Sequence, residues 1–178
     1  MSIYILGISA FYHDSAACLL KDGNIVAAAE EERFSRQKGD ARFPRESIAF
    51  CLAQAGITAS QLEMIVYYDK PILTFARLMQ SYLEYPFSSF RSFQKSLPFW
   101  IHEKLKIPQV IDAALSEFQG QLYFSRHHES HAASTFFCSP YHDAAILIAD
   151  GVGEWACTSI GHGRSEERRV GKECRSRW

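Results

Sequence analysis

The sequence lacks any long uncharged apolar run, and none approaches the roughly 20 residues that a membrane-crossing helix needs. It also lacks a basic leader. Met1-Ser2-Ile3-Tyr4-Ile5-Leu6-Gly7 reaches polar His13-Asp14 too soon for a secretion signal, so a cytoplasmic protein is expected. No C-x-x-C pair occurs: Cys18, Cys51, Cys138, Cys157 and Cys174 are scattered, mostly in apolar stretches, and read as small core residues in a reducing compartment. There is no excess of one charge either. A formal net charge of −1 gives no electrostatic footprint for nucleic acid. No internal repeat or low-complexity linker interrupts the chain before its last fifteen residues.

What is present is a globular composition, 47% hydrophobic and 13% aromatic over 178 residues, enough for a sizeable core. The segment 164–178, Arg164 to Trp178, departs from everything before it. It carries six bases and three acids without apolar periodicity, so that removing it takes the net charge from −1 to −4. A basic tail for nucleic acid or membrane is one reading. The other, preferred here, is an in-frame translation of a sequencing adapter, with residues 1–163 the N-terminal piece of a longer protein.

Three strands are expected to open the fold. Ile3 to Gly7 is followed by a polar turn holding His13-Asp14-Ser15, then by Ala16 to Leu20, and Lys21-Asp22-Gly23-Asn24 reverses the chain into Ile25 to Ala29. Glu30 to Lys38 is a charge run, ordinarily a solvated rim. Its Arg33, Arg36 and Lys38 are candidates for binding a phosphate-bearing substrate, because guanidinium forks suit phosphate oxygens.

Pro44 to Gly56 reads as a helix with Ile48, Cys51, Leu52 and Ala55 inward, and Met64 to Tyr67 as a strand. The order points to an α/β layer fold. Ile72 to Leu83 reads as a buried helix, Ser88 to Ser96 as a packed loop, and Pro108 as the start of a helix that Gly120 stops. Gln121 to Phe124 is a further strand.

The chemistry gathers at His127-His128-Glu129-Ser130-His131-Ala132-Ala133-Ser134. Histidines four apart on a helix share a face and can share a metal ion, although such a pair is often merely hydrogen-bonded. The run Ala144 to Ala149 reads as a buried strand that would place the Asp150 carboxylate at its end. Two histidines and a carboxylate are a suitable donor set for a divalent transition metal. Gly151 and Gly153 let backbone amides approach a phosphate, or simply turn a hairpin. His102, His128, His142 and His162 have no partner at ligand spacing and read as surface or hydrogen-bonded residues.

Four motifs, Ile5-Leu6-Gly7-Ile8 with Phe11-Tyr12-His13-Asp14-Ser15-Ala16-Ala17, the Ala29 to Arg36 run, His127 to Ser134, and Asp150-Gly151-Val152-Gly153-Glu154, together resemble the NodU/CmcH-type carbamoyltransferases. These are the nodulation-factor and antibiotic O-carbamoyltransferases. The resemblance covers almost all of residues 1–163, least so from Pro71 to Gly120.

It implies an α/β fold, the N-terminal part of the actin-like ATPase (ASKHA) superfold, with a mixed sheet flanked by helices. It implies ATP and carbamoyl phosphate as substrates, joined into carbamoyl adenylate by a separate C-terminal domain, and a small-molecule hydroxyl as acceptor. A divalent metal, Fe2+, would be held by His127, His131, Asp150 and an aspartate later in the chain. His13 matches the family's turn histidine, and an imidazole suits proton removal from an attacking hydroxyl. No nucleic-acid or membrane partner is implied, and residues 1–163 alone are not expected to catalyse the full reaction. Two other readings stay open: an actin-like kinase or ATPase needing no histidine-bound metal, and a non-catalytic nucleotide- or metal-binding module.

Overall fold

The computed structural model describes residues 2–151 and 153–164, and at 86–89, 99 and 102 the backbone alone. Most of the segment read as a translated adapter, 165–178, and Val152 of the glycine turn lie outside the described residues. The chain divides into two compact units, the first ending at Phe124 and the second beginning at Ser125.

The first unit is built on a five-stranded mixed sheet. Strands β1 (Tyr4–Ser9), β2 (Ala16–Lys21) and β3 (Asn24–Glu30) form an antiparallel meander, while β4 (Met64–Tyr67) and β5 (Gln121–Phe124) run parallel to β1, giving the order β3-β2-β1-β4-β5. The β2–β3 reversal is made by Asp22 and Gly23, both at positive φ, as a two-residue hairpin with right-handed strand twist requires. Asp22 further accepts a hydrogen bond from the Ile3 amide at 2.8 Å, tying the hairpin tip to the start of β1.

Register is set by alternation. Leu6 faces Leu19 on β2 and Ile65 on β4, and Ile8 faces Ala17 and Tyr67. All are buried, and slipping by one residue would turn this set to the opposite face. Full burial of each large apolar side chain contributes about 1.5–3 kcal/mol. The Tyr67 hydroxyl, inside this core, donates to the Ala10 carbonyl at 2.7 Å, and burial pushes its pKa far up.

Helix α1 (Glu32–Ser35) is a single turn, and α2 (Arg45–Ala55) packs on β2 and β3 with Ile48 and Cys51 buried and Leu52 and Ala55 half-buried against the core. Gly56 takes the left-handed conformation that closes α2, as its position after the apolar stripe predicts. Helices α3 (Pro71–Glu84), α4 (Pro86–His102) and α5 (Ile107–Ala114) complete the unit, α5 burying Ile107 and Ile111.

Several expectations are corrected here. Ser88 to Ser96 is not a loop but the middle of α4, in which serines, bases and aromatics follow helical spacing. Helix α5 ends at Ala114, well before Gly120. Helix α3 is not buried all round: Ile72 and Leu83 are exposed. Cys138 and Cys157 are exposed and only Cys51 is fully buried, whereas Cys174 lies outside the described residues.

The second unit is a helix on a hairpin. Helix α6 (His127–Phe136) packs on β6 (Asp143–Ala149) and β7 (Thr158–Arg164), which pair antiparallel. Phe136 lies over Gly163, where a Cβ would stand 2.7 Å from the ring, so this glycine makes room for the aromatic. The run Ala144 to Ala149 is not buried on both faces: Ile148 is buried, but Leu147 on the opposite face is 70% exposed. No helix among the described residues is long and apolar enough to cross a membrane.

Candidate metal centre and the histidine turn

In the second unit, α6 begins directly after β5, and a capping box closes its first turn, with Glu129 reaching back to the Arg126 amide. The i, i+4 spacing then brings His127 and His131 together edge to face, with their Nε2 atoms 3.0 Å apart. Asp150, one residue beyond β6, brings Oδ2 to 3.1 Å from His127 Nε2. The three ligand-type atoms all lie within 4.8 Å of one another.

The donors fit a small divalent cation. Metal bonds of 2.0–2.2 Å at right angles would separate neighbouring donors by about 3 Å, the spacing seen around His127. Asp150 Oδ1 accepts from the Gly151 amide at 2.6 Å, and the buried Oδ2 has the His127 imidazole, at 3.1 Å, as its partner. A buried carboxylate oxygen needs a donor or a cation, and where His127 turns the Nε2 lone pair toward it a cation meets that need. Desolvation, then the neighbouring His131, lowers the His127 pKa, with Asp150 pulling in the other direction. The neutral imidazole, which binds metals, is thereby favoured.

The glycine turn is internally bonded. Gly151 N–H donates to Asp150 Oδ1, Gly153 N–H to the Ala156 carbonyl at 3.0 Å, and Asp150 N–H to the Cys157 carbonyl at 2.8 Å. A phosphate approaching either glycine amide would compete with these bonds. Glu154 reaches back to accept from the His127 amide at 3.3 Å.

In the first unit, His13 sits in the turn between β1 and β2, flanked by Phe11 and Asp14 at positive φ. Residues other than glycine reach that region at a cost, which the surroundings must hold. The Phe11 amide donates to Ala41 O and the Ser15 amide to Asp40 O, both at 2.8 Å. His13 is exposed, packs against Tyr12 and has Nδ1 2.7 Å from Asp14 Oδ2. Behind Tyr12, buried Lys104 places its ammonium between the Tyr12 and Trp100 rings, 5.4 and 5.0 Å from their centroids, and burial lowers its pKa. Its place 92 residues along the chain gave no sequence signal for this contact.

Of the predicted phosphate ligands, Arg33 is exposed and bonded to Glu30 at 3.0 Å. Arg36 and Lys38 are exposed and make no side-chain hydrogen bond or ion pair among the described residues. The charge run conceals a structural group that its solvated-rim reading missed. Glu31 is buried and accepts from the Glu46 amide, the Ser47 amide and the Ser47 hydroxyl at 3.1, 2.9 and 2.8 Å, holding the start of α2. His128 is buried and hydrogen-bonded and His162 is exposed and bonded to Asp143, as expected of histidines outside ligand spacing, while the side chain of His102 lies outside the described residues.

The chain is 49% identical over 171 residues to the uncharacterized protein sll1178 of Synechocystis sp., covering 92% of this chain and 28% of that protein. It is 31% identical over 161 residues to nodulation protein NolNO of Sinorhizobium fredii, covering 89% of this chain and 22% of that protein. The chain thus spans less than a third of the length of either relative. Among solved structures it is similar to YeaZ from Pseudomonas aeruginosa, at 12% identity and a TM-score of 0.47, covering 99% of this chain and 65% of that one. Residues 4–176, a span that includes the histidine turn and the His127–His131–Asp150 cluster, match the family described as carbamoyltransferase N-terminus, and the chain belongs to that family.

Proposed function

We propose that this chain is the N-terminal part of an ATP-dependent O-carbamoyltransferase, which moves a carbamoyl group from carbamoyl adenylate, made from carbamoyl phosphate and ATP, to an acceptor hydroxyl. The observation that carries the reading is the convergence of His127, His131 and Asp150 in a member of a carbamoyltransferase family. The strand order β3-β2-β1-β4-β5, an antiparallel meander continued by parallel strands, supports the actin-like form of the fold.

His127 Nε2, His131 Nε2 and Asp150 Oδ2 would hold the metal, which we take to be Fe2+. When bound, the metal supplies positive charge to phosphate oxygens and orients the carbamoyl donor. Arg33, Arg36 and Lys38 are the proposed phosphate contacts of the first unit; in the second, the Gly151 and Gly153 amides would serve only by giving up their bonds to Asp150 Oδ1 and Ala156 O.

His13 is the proposed base. The Asp14 carboxylate can only accept, so a neutral His13 presents Nδ1–H to it and keeps the Nε2 lone pair for the acceptor. As the acceptor oxygen bonds to the carbamoyl carbon, its proton passes to Nε2. The bond from that carbon to the adenylate phosphate breaks, and AMP leaves with the electron pair. The Asp14 carboxylate stabilises the imidazolium formed.

The test is His13→Asn in the intact protein, with carbamoyl transfer and metal content both measured. Transfer should fall by roughly 100-fold or more, the scale of general-base catalysis, with metal content unchanged. Unimpaired transfer would remove His13 from the chemistry, and a metal-free wild type that transfers no carbamoyl group but cleaves ATP would favour an actin-like ATPase or kinase instead.

A further inference from the structure

Helix α6 carries a histidine that neither the metal set nor the proton transfer uses. His128 follows His127, so its side chain leaves the helix about 100° away from the ligand face and meets the hairpin instead. It is 9% exposed, and its Nδ1 lies 2.6 Å from Ser159 Oγ on β7. The other edge of the ring lies against the glycine turn. A Cβ on Gly153 would stand 3.0 Å from His128 Cδ2 and 3.1 Å from its Nε2.

The consequence reaches the metal set. Asp150 and Gly153 belong to one turn, closed by the Asp150 amide on Cys157 O and the Gly153 amide on Ala156 O. One side of that turn is β7, to which Ser159 belongs, and the ring of His128 is wedged between Ser159 and Gly153. The position also has an unusual polarity. Among the described residues His128 Nε2 is buried without a hydrogen-bond partner, a standing cost that an aromatic hydrocarbon of similar size would avoid. A histidine there is accounted for by what its Nδ1 does.

We infer that His128, through its bond to Ser159 and its packing on Gly153, is a positioning residue that holds the turn bearing Asp150 in register with His127 and His131. Outer groups that orient metal ligands tune affinity in this way, because a ligand displaced by a fraction of an ångström no longer meets the ion. The inference rests on the proposed metal reading.

The test uses the intact protein, stripped with a chelator and titrated with Co2+ alone, whose visible absorption reports both affinity and ligand geometry. Wild type should bind Co2+, and His127→Ala should not. His128→Phe, which keeps the volume and loses Nδ1, should bind Co2+ roughly 10- to 100-fold more weakly and with a changed spectrum. Ser159→Ala should weaken binding in the same sense, while His128→Asn, whose amide can stand where Nδ1 does, should restore much of the affinity. Equal affinity and spectrum in wild type, His128→Phe and Ser159→Ala would overturn the inference and leave the metal reading standing. Should His128→Phe fail to fold, Ser159→Ala decides alone. A wild type that binds no Co2+ defeats the metal reading itself, and the positioning role with it.

Discussion

His127 Nε2 lies between two ligand-type atoms, 3.1 Å from Asp150 Oδ2 and 3.0 Å from His131 Nε2. It is the pivot of the cluster, and its chemistry depends on its being neutral. Burial, followed by the second imidazole, lowers its pKa below the ordinary histidine value, outweighing the carboxylate.

The His127 imidazole should therefore take up its proton below the ordinary histidine value of about 6.5. An NMR titration of that ring in the metal-free protein checks this. A His127 midpoint above 6.5 would contradict the depressed pKa. In the metal-free protein stability follows the same sign: the unfolded chain takes up the His127 proton first, so this group's contribution to stability is lost as pH falls through about 6.5 toward the folded value.

The two glycines after β6 should respond differently to alanine. Among the described residues a Cβ on Gly151 meets nothing within 4 Å, whereas one on Gly153 meets the His128 and His127 rings at 3.0–3.2 Å. Gly151→Ala should stay within about 0.5 kcal/mol of wild type in stability, as open surface positions do. Gly153→Ala should lower stability by about 1–3 kcal/mol, the range for overpacking, and weaken metal binding with it. Urea titration and metal binding on both variants check this, and equal behaviour would refute the packing argument.

Glu31 should matter to folding far more than its neighbours in the charge run. Its buried carboxylate holds two amides and a hydroxyl at the start of α2. Glu31→Ala should cost about 1–3 kcal/mol, since it leaves those donors unsatisfied. Arg33→Ala removes only the contacts of an exposed guanidinium with Glu30 and Glu32 and should stay within about 1 kcal/mol of wild type. Denaturant midpoints of the two variants compare them directly, and a similar loss in both would show that Glu31 is not an anchor.

The local elements were legible because their causes are local. Asp22-Gly23 between two apolar runs can do little but reverse a strand, and Gly56 after the Ile48–Cys51 stripe ends a helix whatever surrounds it. The spacing of His127 and His131 predicts a shared helix face for the same reason, since 3.6 residues per turn is a backbone property. Helix α4 was not legible, because serines and aromatics in Ser88 to Ser96 are indifferent helix formers and only context selects the helix. Nor was the single buried face of β6, where an apolar run is compatible with one covered side or two.

The sequence by itself determined the meander, α2, and the two histidines on one side of a helix, all of them consequences of chain periodicity and turn chemistry. Only the tertiary structure decided which charged residue of the Glu30 to Lys38 run is buried, which oxygen of Asp150 faces His127, and that His128 bonds Ser159 across the hairpin. Each of these pairs residues far apart in the chain. Such contacts follow from how the helices and strands pack, which no local pattern encodes.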